Sequence, residues 1–170
     1  MDGGILTITG VTDANGREIG GGVSQKHAQL YGRWEARVRV VGSGPASAVV
    51  LLWPKTEKWP ADGEIDMLEA RTPDRQSALN YLHNQARDYK AGNTMHADFS
   101  QWHTIAVDWS PRRATFWLDS VQVWSSPNAG LVPSTSPMHL ALQVDPICST
   151  GCPTAPTKLQ VDWIKTFATA

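Results

Sequence analysis

The strongest constraint on the fold is an alternation of apolar and polar residues with a period of two, repeated in short runs along the whole chain. The runs are ILTIT (5–9), YGRWEARVRVV (31–41), ASAVVLLW (46–53), GEIDMLEA (63–70), ALNYLH (78–83), HTIAVDWS (103–110), ATFWLDSVQVW (114–124), MHLALQV (138–144) and KLQVDWIKTF (158–167). Gly, Pro, Asn and Asp separate them, and no long 3.6-residue pattern interrupts the series. Such a chain is predicted to be all-β, with antiparallel strands in two packed sheets, a sandwich or jelly roll. At 170 residues with 41% apolar content, it is long enough for one sizeable core and too short for two, so residues 1–170 are read as a single domain.

Within these runs the phase is legible. Trp34, Ala36, Val38 and Val40 fall on one face, expected to be core, and Arg33, Glu35, Arg37 and Arg39 on the other, expected to be a solvated face of paired charges. Asp119-Ser120 suits a tight turn between two strands. The Pro/Ser/Thr-rich stretches 125–137 and 146–156 read as surface loops with little to bury.

Composition narrows the function. A net charge of −1, a pI near 6.5 and the lack of a Lys/Arg cluster give no electrostatic basis for nucleic-acid binding. No apolar run approaches the ~20 residues of a membrane span. MDGGILTITG lacks the basic start and apolar core of a signal peptide, so export would require a leader outside this sequence. Trp accounts for 8 of 14 aromatic residues, which suits either flat apolar contact surfaces or a Trp-rich core. Cys148 and Cys152 in CSTGC are expected to form a disulfide in an oxidising compartment, the alternative being two free thiols.

One stretch breaks the alternation. In KWPADGEIDMLEA, Glu64 and Asp66 share a strand face, but a strict period of two would send Glu69 to the apolar side with Ile65 and Met67. A β-bulge at Met67-Leu68 removes the conflict, because two residues then occupy one pleat position and Glu69 rejoins the other acids. Glu64 and Glu69 would lie about 13 Å apart at Cα, and inward-leaning side chains would bring their carboxyls to about 5–6 Å. That spacing suits a glycosidase that retains anomeric configuration, with one carboxylate as nucleophile and the other as general acid/base. Asp66 between them would raise a neighbour's proton affinity and hold the nucleophile. The plainer readings are acids on an exposed edge strand, or a divalent-cation site, although the motif itself contains no His.

The motif Glu64-x-Asp66-x-x-Glu69, preceded by Trp59-Pro60, resembles the signature of glycoside hydrolase family 16 in the bulged form of laminarinase-type β-1,3-glucanases. DGGILTITG, YGRWEARVRV, FSQWHTIAVDWSPRRATFWLDSVQVW, MHLALQV and KLQVDWIKTF resemble further strands of the family in the same order, so the resemblance covers nearly the whole chain. It implies a β-jelly-roll sandwich with a concave substrate cleft, and hydrolysis of internal β-linkages of a polysaccharide with retention of configuration. Glu64 would be the nucleophile, Asp66 its helper and Glu69 the acid/base. Trp59, Trp53, His83 and Gln143 match substrate-binding positions, although the family's Trp usually sits earlier in the segment of Trp53, where this chain carries Val50.

Catalysis would need no cofactor. The resemblance also implies a structural calcium held through Gly32 and Asp162, but the chain starts where the family has one or two further N-terminal strands whose backbone often completes that shell. The expectation is a secreted, monomeric endo-β-1,3-glucanase acting on a polysaccharide such as laminarin. A galactan, a mixed-linkage glucan or transglycosylation are variants on the same fold, and the mixed-linkage enzymes resemble the shorter, unbulged motif. The rival from another class is a glucan-binding jelly-roll module without activity.

Overall fold

A computed structural model describes residues 3–84 and 89–169. Thirteen strands are assigned: β1 Leu6–Thr12, β2 Glu18–Ile19, β3 Gly21–Ser24, β4 Gly32–Val41, β5 Ser47–Pro54, β6 Glu64–Ala70, β7 Ser77–Asn84, β8 Tyr89–His96, β9 His103–Ser110, β10 Arg113–Leu118, β11 Val121–Ser125, β12 Met138–Asp145 and β13 Thr157–Phe167. They form two antiparallel sheets, ordered β11-β10-β9-β4-β13-β1-β2 and β3-β12-β5-β6-β7-β8. The all-β sandwich expected from periodicity is therefore present, and a 3-10 turn at Ala129–Leu131 is the one helical element among the described residues.

Every alternating run lies on a strand. In β4 the alternation is unbroken, with Trp34, Ala36, Val38 and Val40 at 1% exposure or less. They face the inner row of the other sheet, where Val50, Leu52, Ile65, Leu68 and Leu82 are fully buried. Each such side chain withdrawn from water contributes about 1.5–3 kcal/mol. The opposite face of β4 is the paired-charge surface expected of it. Arg33 bonds Glu35 and Asp108 at 2.8 and 2.7 Å, and Arg37 bonds Asp162 at 2.5 Å. The two readings of the Trp content divide between residues. Trp34 and Trp109 are core, whereas Trp102 lies beneath Arg37 and Arg39 on the outer surface, with guanidinium carbons 4.9 and 4.7 Å from its ring. Asp119 and Ser120 both adopt positive φ and turn β10 into β11.

Three strands escape the pattern, and two expectations need correction. Strands β2, β3 and β8 were not legible: GGVS and YKAGNTMH lack the β-branched alternation that marks a strand, and they pair because an established sheet edge offers them partners. The stretch 125–137 is not simply a surface loop. Val132 enters the core, and the Pro133 carbonyl accepts the buried Trp109 indole N–H at 2.8 Å. Lastly, Gly32 and Asp162 do not meet. Register places Arg33 opposite Phe167 and Arg37 opposite Trp163, so the two lie about five residues, or about 16 Å, apart along β4. The Asp162 carboxylate is occupied by Arg37, and these two residues do not make one calcium ligand set.

Candidate active site

The bulge is where the out-of-phase glutamate requires it. Across β5, Leu51 faces Asp66 and Val50 faces Leu68; across β7, Tyr81 faces Asp66 and Leu79 faces Glu69. In both pairings β6 uses one residue more than its neighbour, and the excess falls at Met67-Leu68. Met67 and Leu68 are consequently both buried in the core, at 1% and 0% exposure, while Glu64 and Glu69 remain half-buried on the other face. Entry to the strand is fixed by Gly63. Its φ is +81°, and a Cβ there would come within 2.6 Å of Pro133 Cγ.

Three acids, His83, Trp53 and Gln143 all belong to the outer face of the six-stranded sheet. His83 lies opposite Glu64, with Nε2 3.3 Å from Asp66 Oδ2. Trp59, 44% exposed, donates its indole N–H to Glu64 Oε2 at 2.7 Å, and its ring centroid lies 6.0 Å from that of His83. Trp59 thus holds Glu64 directly while its ring stays partly exposed. Donor atoms of Glu64, Asp66 and His83 lie within 4.8 Å of one another, an arrangement able to hold a cation or a shared proton. The His absent from the motif is supplied by the neighbouring strand.

Burial dominates the electrostatics. It raises the Glu64 carboxyl well above the usual carboxylate range, with the charge of Asp66 adding to the effect and His83 and the Trp59 indole opposing it. Asp66, only 4% exposed, is raised by the same desolvation against the His83 hydrogen bond. Each of these two carboxyls bears on the other's titration. Glu69 is also raised by burial, and Arg71, whose Nη2 donates to Glu69 Oε1, pulls the other way.

Two grooves flank the acids. One of about 450 Å³ runs over β5, β12 and β3 and is lined by Ser24, Trp53, Glu57, His139 and Gln143. Here Trp53 sits over Val49, Leu51 and Ala141, opposite His139, and donates its indole N–H to Glu57 at 2.6 Å. Gln143 faces Val49, at the level of Glu69 but two strands away. The other groove, about 260 Å³, is lined by Glu69, Arg71, Ser77, Leu79 and Thr94. A chain-shaped ligand crossing the sheet would therefore pass over the carboxyls. Arg71 and Glu57 were not singled out from sequence. Arg71 is two residues beyond Glu69 and so on the same strand face, a signal that was available; Glu57, in a loop, gives none.

The family model described as Glycosyl hydrolases family 16 matches residues 5–165. The chain belongs to this family. A protein of Cryptopygus antarcticus named "Glucan endo-1,3-beta-glucosidase" is 31% identical over 100 residues, covering 53% of this chain and 37% of its own length. A "Beta-glucanase" of Rhodothermus marinus is 25% identical over 142 residues, covering 70% and 49%. The chain thus spans about half or less of the length of the curated relatives it matches. Among solved structures, one from Z. galactanivorans in complex with laminaritriose and laminaritetraose superposes with a TM-score of 0.83 at 19% identity, over 99% of this chain and 80% of the other. A laminarinase catalytic domain of Thermotoga petrophila gives 0.78 at 19% identity, over 99% and 79%. These likenesses establish the shared family 16 jelly-roll fold.

Proposed function

We propose that this family 16 chain is a retaining endo-glycoside hydrolase that cleaves internal β-1,3-linkages of a glucan such as laminarin. The observation that carries the reading is the bulge at Met67-Leu68, which turns Glu69 onto the face of Glu64 and Asp66. Residues opposite the two glutamates, His83 and Leu79, are four steps apart on β7, about 13 Å, and converging Glu side chains reduce that gap to the separation used in retaining enzymes. Glu64 attacks the anomeric carbon and forms a glycosyl-enzyme. Glu69, whose protonated form burial favours, first gives its proton to the departing oxygen and then takes one from the incoming water. Burial and the charge of Asp66 favour the protonated Glu64 carboxyl, whereas the Trp59 indole N–H and His83 favour the ionised form in which it attacks.

Trp53, Trp59, His83 and Gln143 are the proposed sugar contacts. The preference for β-1,3-linkages is supported by the bulged motif and by the name of the Cryptopygus antarcticus relative. Secretion is supported by the Cys148–Cys152 disulfide, whose Cα atoms are 5.7 Å apart, since such bonds persist in oxidising compartments. We take the chain to act as a monomer on a polysaccharide. The test is release of reducing ends from a panel of β-glucans, a galactan included, by the protein and by Glu64→Gln. Release from β-1,3-glucan that Glu64→Gln abolishes is expected. Binding without release by the unaltered protein would replace the enzyme with a glucan-binding module.

A further inference from the structure

The core-facing row of β7 reads Ala78, Asn80, Leu82 and Asn84, and the amide between Ala78 and Leu82 is out of place unless something inside needs a donor. Asn80 is 1% exposed. It lies between Tyr81, which faces Asp66, and Leu79, which faces Glu69, so it spans both bulge residues of β6. Its Nδ2 donates to the Met67 carbonyl at 2.6 Å. A bulge interrupts the ladder and leaves a backbone group unpaired, and in a buried strand that group must find a side chain. Among the described residues, Asn80 Oδ1 finds no hydrogen-bond partner of its own. An apolar residue would carry no such orphan, so the amide is kept for the one bond it makes.

We propose that Asn80 is a positioning residue for Glu69. By holding the Met67 carbonyl it pins the bulge at Met67-Leu68, and the pinned bulge keeps the Glu69 carboxyl turned toward the scissile oxygen. The inference rests on the reading of Glu69 as general acid/base. Without the amide, a buried carbonyl loses its donor, and the strand can relieve this by moving the bulge along its length. A bulge displaced beyond Glu69 returns that residue to the phase of Met67, facing the core.

The test separates proton delivery from the rest of catalysis. Asn80→Leu and Asn80→Ser are compared with the unaltered chain on a β-1,3-glucan and on a dinitrophenyl glycoside of a β-1,3-linked glucose oligomer. Dinitrophenolate departs without a proton, so kcat/KM for that substrate reports attack by Glu64 alone. The expected result is a fall of about 10–100-fold in kcat/KM on the glucan, as for other small misplacements, with the aryl glycoside changed by less than about threefold. Deleting Met67 closes the bulge and leaves the three acids in strict alternation; in that background Asn80→Leu should add no selective loss. Parallel losses on both substrates, no loss on either, a selective loss that persists without Met67, or failure of both Asn80 variants to fold would each overturn the proposal alone. A folded, unaltered chain inactive on both substrates would overturn the enzyme reading and this inference with it.

Discussion

Arg75 offers a sharp test of how this sandwich is held closed beside its site. Its side chain is 2% exposed, with no carboxylate among the described residues bonded to the guanidinium. The bonds run instead to the carbonyls of Gly42 at 3.1 Å, Gly44 at 2.9 Å and Thr72 at 3.0 Å and to the Thr157 hydroxyl at 2.9 Å, with longer contacts of 3.4 Å to Ala46 and Ala70. The Gly42 and Gly44 carbonyls lie in a loop, outside any strand ladder. Arg75→Met keeps most of the apolar stem and removes the donors. Stranding these two carbonyls and the Thr157 hydroxyl costs about 1–3 kcal/mol each, and relief from burying an unpaired cation offsets part of that. The net loss should be about 2–5 kcal/mol, which in a domain of this size lowers Tm by about 6–15 °C. Differential scanning calorimetry at neutral pH measures it. A Tm within about 2 °C of the unaltered protein would refute the reasoning, because it would mean that the loop carbonyls are satisfied without the guanidinium.

The remaining predictions concern the carboxyls. Glu64→Gln should abolish hydrolysis yet raise thermal stability at neutral pH, because the folded chain holds the Glu64 proton more tightly than the ordinary value of 4.5 allows. With the folded pKa above the unfolded one, stability falls as pH rises through that window, so the gain from Gln should grow upward from mildly acidic pH and vanish near pH ~4 in melting curves. Arg71→Met removes the cation and donor that oppose protonation of Glu69, so the alkaline limb of the kcat/KM–pH profile should move upward; an unmoved limb would separate Glu69 from that titration. Trp59→Phe keeps an aromatic ring but loses the indole bond to Glu64, and kcat/KM should drop by about 10–100-fold, the worth of one hydrogen bond to a charged group.

Sequence periodicity by itself determined the strand phases that matter most. The alternation of Trp34 to Val40 assigned a core face because neighbouring side chains on a strand must point oppositely, and the misplaced Glu69 located the bulge because a lone carboxyl does not enter an apolar core. Both are local arguments, and local spacing suffices for them. What only the tertiary structure decided is which distant groups meet. His83 reaches Asp66, Asn80 reaches the Met67 carbonyl and Glu57 holds Trp53 through pairing registers and loop paths that no spacing encodes. The same registers separate Gly32 from Asp162, two residues that resemblance alone had joined in one site. Phase along a strand follows from the geometry of each residue and its neighbours, whereas register between strands is set by the packing of the whole sandwich, where long-range contacts decide the alignment.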